Sequence, residues 1–259
     1  MDKIKTKKYS CVQPLTFEGE THVGLIRDAN EDCFCYIDYQ SEANSMAVIA
    51  DGIGGHQHGE IASSLCCRQL VTSWKFHQVG NLSSTSKIEA FLKHQICSVN
   101  RDIYLHNKRK NAGCSMGTTI VAAVFTPNHV IVGHAGDSRL YMYNEDEGLR
   151  QLTEDHSLVA ALVKKGTISN EEAKHHPFAH IISKSIGPNV SVEPEIKIYP
   201  RNPGDRYMLC SDGLSMHVKR KKVRDIIATS ATSKSAVNSL MKEALISGGE
   251  DNITIICIF

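Results

Sequence analysis

Acidic residues beside glycine or another small residue recur at the predicted ends of β-strands. They occur at five places: Glu31/Asp32, Asp51, Asp137, Asp212 and Asp251. Strand ends are rigid points from which loop side chains can be held in a fixed geometry. Carboxylates that converge on one place repel each other strongly unless a cation lies among them. Because carboxylates, backbone carbonyls and water suit Mg²⁺ or Mn²⁺ better than zinc, the pattern predicts a site for hard divalent cations.

The stretch from Ile49 to Glu60 is the centre of this pattern. The apolar run Met46–Ala50 predicts a buried strand, and helical apolar spacing begins at Glu60. Asp51 lies between them, followed by glycines at 52, 54, 55 and 59 that permit a sharp turn and close backbone approach to a ligand. The plainer alternative is a tight strand-to-helix turn whose aspartate is a cap. The turn does not indicate a P-loop, since no Gly-Lys-Ser/Thr follows it.

The loop from Arg27 to Asp32 places one arginine among three carboxylates. A guanidinium can bind two phosphate oxygens at once. Two divalent ions held close together activate water and hold a phosphoryl group during in-line displacement. Arginine and acidic residues together therefore point to phosphate-ester hydrolysis. The alternative for this loop alone is an exposed hydrophilic turn.

Composition bounds the class of protein. A chain of 259 residues that is 41% hydrophobic can bury a sizeable core within one domain. The formal net charge of +1 gives no strong field for nucleic acid or acidic lipid, and no apolar run approaches membrane-spanning length. The nine cysteines lack zinc-knuckle spacing, so we expect reduced, packed thiols. The N-terminus has no apolar segment of the secretory type, so we expect a soluble, cytoplasmic protein.

The order of elements predicts an α+β fold. Expected strands cover residues 20–26, 33–39, 46–50, 117–125, 130–134, 140–143, 149–152, 181–187, 192–199, 206–210 and 253–259. Expected helices begin at Glu60 and at the capping boxes of Ser86 and Ser169, follow Ser157 as far as Gly166, and cover 217–229 and 233–247. Strands and helices segregate instead of alternating, which favours an antiparallel β-sandwich over a doubly wound sheet.

Seven stretches together carry a family resemblance. They are Arg27–Asp32, Asp51–Gly55, Gly117–Thr119, Gly136–Arg139, Thr153–Ser157, Leu209–Leu214 and Gly249–Thr254. Each is weak alone, but in this order they resemble the type 2C family of metal-dependent Ser/Thr protein phosphatases, in its compact bacterial form. The resemblance spans about residues 20–259.

The resemblance implies both architecture and reaction. Two packed antiparallel sheets would be flanked by helix pairs in α-β-β-α layers. A loose arm, residues 1–15, would precede a single catalytic domain, residues 16–259, with a mobile flap at about 157–187. The implied reaction is hydrolysis of phosphoserine and phosphothreonine by a water that two metal ions activate.

The resemblance also implies a role for each matched acidic position. The implied ligands of two Mn²⁺ or Mg²⁺ ions, with a third ion in bacterial members, are Glu31, Asp32, Asp51, Gly52, Asp137, Asp212 and Asp251. Asp51 would bridge the pair, with the Gly52 carbonyl as a further ligand. Asp212 and Asp251 would hold one ion, while Glu31 and Asp32 would hold or orient the other, partly through water. Asp137, with Asp212, matches the third-ion site.

Two further positions concern the substrate. Arg27 would bind the substrate phosphate. Many relatives outside bacteria have a histidine directly after the Asp-Gly pair as the proposed general acid, but here that residue is Ile53. Bacterial-type members have a hydrophobic residue there and a histidine after the second glycine of the following pair, which matches His56. The acid that protonates the leaving group is therefore His56 or, alternatively, a metal-bound water.

Partners follow from the same resemblance. The expected substrate is a phosphoprotein, the expected opposing enzyme is a cognate Ser/Thr kinase, and the chain is expected to be a monomer without nucleic-acid or membrane partners. A pseudophosphatase that keeps the fold as a binding module is the alternative, although such proteins usually lose acidic ligands. A phosphatase adapted to one regulatory partner is a third interpretation. Zinc at the histidines around His56 or His176 is disfavoured, because neither group has a fixed scaffold.

Overall fold

A computed structural model describes residues 14–39, 44–53, 58–78, 84–109, 115–174 and 176–259. Its strands are β1 (Phe17–His22), β2 (Cys33–Ile37), β3 (Ser45–Ala50), β4 (Gly52–Ile53), β5 (Gly117–Thr118), β6 (Ile120–Phe125), β7 (His129–Ala135), β8 (Arg139–Asn144), β9 (Gly148–Gln151), β10 (Glu195–Pro200), β11 (Arg206–Cys210) and β12 (Ile253–Ile258). Its helices are α1 (Gly59–Gln78), α2 (Thr85–Arg109), α3 (Leu158–Lys164), α4 (Asn170–Lys174), α5 (Asp212–Ser215), α6 (Arg220–Thr229) and α7 (Ser233–Ile246). Most of the predicted arm, residues 1–13, and His56 lie outside the described residues.

Two antiparallel five-stranded sheets form the centre of the described structure. One has the order β1-β12-β11-β8-β9, and the other has the order β10-β7-β6-β3-β2. Helices α1 and α2 cover the second sheet, while α6 and α7 cover the first. The expected α-β-β-α layering of an antiparallel sandwich is therefore confirmed.

Strand β3 shows how the layers are built from the sequence. Its side chains alternate between faces, as they must in any strand. Met46 and Val48 pack towards α1 and α2, whereas Ala47 and Ile49 pack into the core between the sheets. Both faces are buried, which explains why this strand is a continuous apolar run.

Some predicted elements differ from those observed. Strand β1 ends at His22, where its pairing with β12 ends. The observed strand therefore lies closer to the N-terminus than the strand predicted at 20–26. Residues 181–187 contribute isolated bridges, Ser157 with Ile182 and Thr118 with Ile186, and no continuous strand. The helix expected at 217–229 is observed as α6, preceded by the separate short helix α5. The backbone groups of Ser84, two residues before the predicted cap, start α2.

The segment expected to form the flap contains α3 and α4. The capping box at Ser169 is confirmed, since its backbone N–H donates to the Glu172 carboxylate at 2.7 Å and the Glu172 N–H donates to its hydroxyl at 3.2 Å. Gly166 follows α3 with φ of +71°, as expected of a helix C-cap. In the described part of the chain no helix has the length and apolarity needed to cross a membrane.

Candidate active site

Six acidic residues from separate elements meet at one edge of the sandwich, and we call them the acidic cluster. They are Glu31 and Asp32 before β2, Asp51 after β3, Asp137 after β7, Asp212 at the start of α5 and Asp251 before β12. Their mutual electrostatic effects link every member to at least one other. Strands of both sheets end at this edge, so the two layers contribute to one site.

Asp51 lies at the centre of the cluster. Its backbone is fixed by β5 and the residue after it: the Thr119 N–H and the Thr118 hydroxyl donate to its carbonyl at 2.8 and 2.9 Å. Burial, followed by repulsion from the other aspartates, raises the pKa of Asp51 well above its ordinary value. Its carboxyl group lies within hydrogen-bonding reach of Asp212, so without a cation this pair would share a proton.

Asp32 is held from the opposite sheet. Its Oδ2 accepts hydrogen bonds from the Ser211 hydroxyl at 2.8 Å and the Thr254 hydroxyl at 2.6 Å. Its Oδ1 is buried and has no hydrogen-bond partner among the described residues. Burial raises the pKa of Asp32 to about 7, although the two hydroxyl donors act in the opposite direction.

Asp137 lies in the turn between β7 and β8. Only 9% of its surface is exposed, and its Oδ1 also lacks a partner within the described ranges. Burial, with repulsion from Asp212, raises the pKa of Asp137 to about 7. Arg139 opposes this shift, but its guanidinium is already held by Asp155, with an Nε–Oδ1 distance of 2.9 Å.

Arg27 lies at the exposed rim of the cluster. Its Nη2 donates to Asp251 Oδ2 at 2.9 Å, and 56% of its side chain remains exposed. The opposite oxygen of Asp251 accepts the Asn252 N–H at 2.8 Å. The structure therefore brings the predicted phosphate-binding arginine and a predicted metal ligand into direct contact.

Two glycines allow Glu31 to approach the Asp51 turn. A Cβ on Gly52 would lie 2.5 Å from the Glu31 carbonyl oxygen, and one on Gly59 would lie 2.7 Å from the Glu31 carboxylate. Any side chain at either position would thus separate Glu31 from the turn. The Glu31 carbonyl also accepts the Ser63 hydroxyl at 2.6 Å, which ties the loop to α1.

Asn252 connects the N-terminal loop to the C-terminal strand. Its Oδ1 accepts the Glu31 N–H at 2.8 Å, and its Nδ2 donates to the carbonyls of Val23 at 2.9 Å and Ala29 at 3.0 Å. The side chain is buried and uses all three groups across the sandwich edge. Sequence reasoning included Asn252 in a motif but assigned it no role; its position beside Asp251 was the available signal.

The donor chemistry of the cluster fits hard divalent cations. Buried carboxylates that repel one another are stabilised when a cation replaces the shared protons. The unpartnered oxygens of Asp32 and Asp137 are free acceptors within the described structure. Oxygen donors without thiolate or imidazole suit Mg²⁺ and Mn²⁺.

A second cluster of titratable side chains, which sequence reasoning missed, lies where β7 pairs with β10. Ligand atoms of His134, His156 and Glu195 lie within 4.8 Å of one another. The His156 Nδ1 accepts the Gly136 N–H at 3.2 Å, which leaves Nε2 to carry the proton towards Glu195 at 3.3 Å. Burial lowers the pKa of His156 to about 4, consistent with this neutral form. A proton therefore already bridges His156 and Glu195, and Lys197 also contacts that carboxylate.

Comparison with known proteins places this geometry in a family. The sequence profile described as "Protein phosphatase 2C" matches residues 27–247, which is most of the chain. The chain belongs to the protein phosphatase 2C family. The family expected from the seven ordered stretches is thereby confirmed.

Individual relatives of this family match over nearly the whole chain. The serine/threonine phosphatase stp of Listeria monocytogenes is 35% identical over 241 residues, which is 93% of this chain and 94% of that protein. The crystal structure of the serine/threonine phosphatase Stp1 from Staphylococcus aureus has a TM-score of 0.87 at 32% identity and covers 98% of both chains. A PstP catalytic domain solved in complex with two manganese ions has a TM-score of 0.79 at 30% identity, with coverage of 95% and 97%.

Cys210 lies two residues before Asp212 of the acidic cluster, and it should not act as a nucleophile. It is fully buried at the end of β11, and burial raises its pKa to about 12. We expect Cys210→Ser to retain kcat/KM within about threefold of wild type on a phosphopeptide, because an inert buried thiol contributes packing only. A phosphocysteine trapped by acid quench and identified by mass spectrometry would contradict this prediction.

Proposed function

We propose that this chain hydrolyses phosphoserine and phosphothreonine in proteins, with two Mn²⁺ or Mg²⁺ ions bound at the acidic cluster. The observation that carries the proposal is the convergence of six carboxylates in a chain of the protein phosphatase 2C family. Two of these carboxylates have a buried oxygen without a hydrogen-bond partner in the described residues. The manganese ions of the PstP relative support the same metal content. Such ions, when bound, lower the pKa of a bound water and polarise the phosphoryl group.

The proposed ligands follow the positions of the carboxylates. Asp51, which interacts with four other aspartates, would bridge the pair, and the Gly52 carbonyl would be a further ligand. Asp212 and Asp251 would hold one ion, and Glu31 and Asp32 the other, partly through water. Burial and repulsion from Asp212 raise the pKa of Asp137, and this repulsion supports a third ion that these two residues would hold.

The protein's own groups would orient the substrate and the ligands. Arg27 has five N–H donors, one of which contacts Asp251, so the others can bind phosphate oxygens at the exposed rim. Ser211 and Thr254 fix one oxygen of Asp32 and leave the other for a cation or its water. Thr118 and Thr119 fix the backbone of Asp51. Preorganisation of this kind avoids reorganisation during the reaction.

The decisive experiment is metal-dependent release of phosphate from a phosphothreonine peptide. Protein stripped with EDTA and dialysed should be inactive, and Mn²⁺ or Mg²⁺ should restore activity. Asp212→Asn should lower kcat/KM by about 10³-fold or more at saturating Mn²⁺, since one metal would lose a ligand. Full activity of the stripped protein in excess EDTA would contradict the proposal, as would wild-type activity of Asp212→Asn.

His56 stays a prediction, because it lies outside the described residues. A general acid matters for a poor leaving group such as the serine alkoxide, but p-nitrophenolate leaves without a proton. If His56 is the acid, His56→Ala should slow phosphopeptide hydrolysis by about 10²-fold and barely affect p-nitrophenyl phosphate. His58→Ala is the control. Equal losses on both substrates would favour a metal-bound water as the acid.

The cellular setting is a further part of the proposal. We propose that the enzyme works as a monomer in the cytoplasm and reverses the action of a cognate Ser/Thr kinase on shared phosphoproteins. Among the described residues seven cysteines are free thiols, which supports a reducing compartment. Dephosphorylation of proteins that such a kinase has labelled with radioactive phosphate would test the pairing directly.

A further inference from the structure

A group of four thiols lies at the contact between β2 and α1, and the proposed reaction uses none of them. Cys33 and Cys35 lie on β2, and Cys66 and Cys67 lie on α1. Alternate residues of a strand share a face. Both β2 thiols therefore point towards the core under α1, whereas Phe34 and Tyr36 point towards the core between the sheets. We call this group the thiol cluster.

Cys67 is the shared member of the thiol cluster. Its thiol interacts with the thiols of both Cys33 and Cys35; burial raises the pKa of Cys67, and this interaction raises it further. Its sulfur also donates to the Cys33 carbonyl at 3.3 Å, and the Cys35 sulfur donates to the Cys67 carbonyl at 3.3 Å. These two hydrogen bonds hold β2 and α1 together at Cys33, Cys35 and Cys67.

The members of the cluster differ in exposure. Cys33 and Cys35 are partly exposed on β2, which is an edge strand of its sheet. Cys66 and Cys67 are buried, with exposures of 0% and 2%. An oxidant from solvent would consequently reach Cys33 or Cys35 first, with Cys67 directly behind them.

We propose that the thiol cluster is an oxidation site in which Cys67 forms a disulfide with either Cys33 or Cys35 when the protein meets a peroxide. The peroxide oxidises one β2 thiol to a sulfenic acid and is itself reduced to water. The Cys67 sulfur then attacks the sulfenic sulfur, the S–S bond forms, and the hydroxyl leaves as water with the Cys67 proton. Two thiols and one hydrogen peroxide thus give one disulfide and two waters.

The position of the bond indicates what it would do. It would join the strand that follows Glu31 and Asp32 to the helix that also holds the Glu31 carbonyl through Ser63. A covalent link between distant segments of the chain restricts the unfolded state. The oxidised protein should therefore have a melting temperature a few degrees higher than the reduced protein, and dithiothreitol should remove the difference.

Mass spectrometry can test the pairing. The reduced protein would be treated with hydrogen peroxide, alkylated with N-ethylmaleimide and digested. Trypsin leaves all four thiols in one peptide, residues 28–68, because no lysine or arginine lies between Arg27 and Arg68. Chymotrypsin, which cleaves after Phe34, Tyr36 and Leu65, then separates the β2 thiols from each other and from α1.

Single variants make the shared role of Cys67 falsifiable. Cys33→Ser and Cys35→Ser should each still form one disulfide, and Cys67→Ser should form none. Cys66→Ser, the neighbouring buried thiol, and Cys97→Ser, a partly exposed thiol on α2, are matched controls that should behave as wild type. Cys67→Ala repeats the test without a buried hydroxyl, and circular dichroism checks folding. A disulfide that survives both Cys67 variants would overturn the proposal, as would wild-type protein oxidised at Cys33 or Cys35 without any disulfide.

Discussion

The Asp51→Asn protein is expected to lose phosphatase activity and yet, without metal, to unfold at a higher temperature than wild type. Asp51 is half-buried and lies among four other aspartates, each of which disfavours its negative charge. Asparagine has the same shape and no charge. Removing a half-buried, repelled carboxylate should stabilise the metal-free fold by about 1 kcal/mol or more at neutral pH.

Catalysis should respond in the opposite direction. The proposed bridging ligand would be lost, so kcat/KM on a phosphothreonine peptide should fall by about 10³-fold or more, a loss of several kcal/mol of transition-state stabilisation. Wild-type protein should melt at a higher temperature in Mn²⁺ than in EDTA, since a ligand of the folded state shifts unfolding. Asp51→Asn should show little of this shift.

A matched control distinguishes the effect of the acidic cluster from the effect of replacing any buried aspartate. Asp205 is a buried carboxylate that accepts the Asn202 N–H at 2.8 Å and the Tyr207 hydroxyl at 3.1 Å instead of facing other acids. Asp205→Asn should therefore lower stability and keep the Mn²⁺ response. Thermal melts in EDTA and in Mn²⁺ measure both effects. An Asp51→Asn protein that is less stable without metal than wild type would contradict the repulsive cluster.

The sequence allowed prediction of the layers and of the acidic edge, because both depend on local patterns. A strand buried on both faces is a continuous apolar run, as at Met46–Ala50, and a carboxylate followed by glycine marks its end. Such signals lie within a few residues of one another. Repeated at several strand ends, they indicate one edge of a sheet even before the order of the strands is known.

The supports of the site could not be predicted in the same way. Asp32 is held by Ser211 and Thr254, which are 179 and 222 residues away along the chain. Serine and threonine near a strand end have many ordinary roles, so their types alone indicate no partner. Only the packing of one sheet on the other brings these hydroxyls to the carboxylate.

The predicted element boundaries were wrong where strand pairing determines the end of an element. Leu25 and Ile26 are apolar and suggested a strand, but their exposures are 63% and 70%. Strand β1 can pair only as far as its partner extends, and β12 begins at Ile253, opposite His22. Beyond this point the chain turns outward so that Arg27 and Glu31 can reach the acidic cluster.

Replacing Asn252 is expected to disconnect this N-terminal loop from the C-terminal strand. Asn252→Ala would leave the Glu31 N–H and the carbonyls of Val23 and Ala29 without their partners at a buried position. Unsatisfied buried groups cost about 1–3 kcal/mol each, so the free energy of unfolding should fall by about 3 kcal/mol. Urea unfolding in EDTA measures this loss without a contribution from metal.

Asn252→Asp tests the direction of the hydrogen bonds. The carboxylate keeps the shape and can still accept from Glu31, but it would face the Val23 and Ala29 carbonyls with an acceptor and would add a charge beside Asp251. We expect it to be at least as damaging as alanine. Both variants should lower kcat/KM by about 10²-fold even where they are folded, because a shift of about 1 Å in Arg27 or Glu31 is enough. Asn144→Ala, which removes one bond to the Glu147 N–H in an exposed turn, is the control and should change neither property. Wild-type kcat/KM in Asn252→Ala would show that the loop holds its position by other contacts.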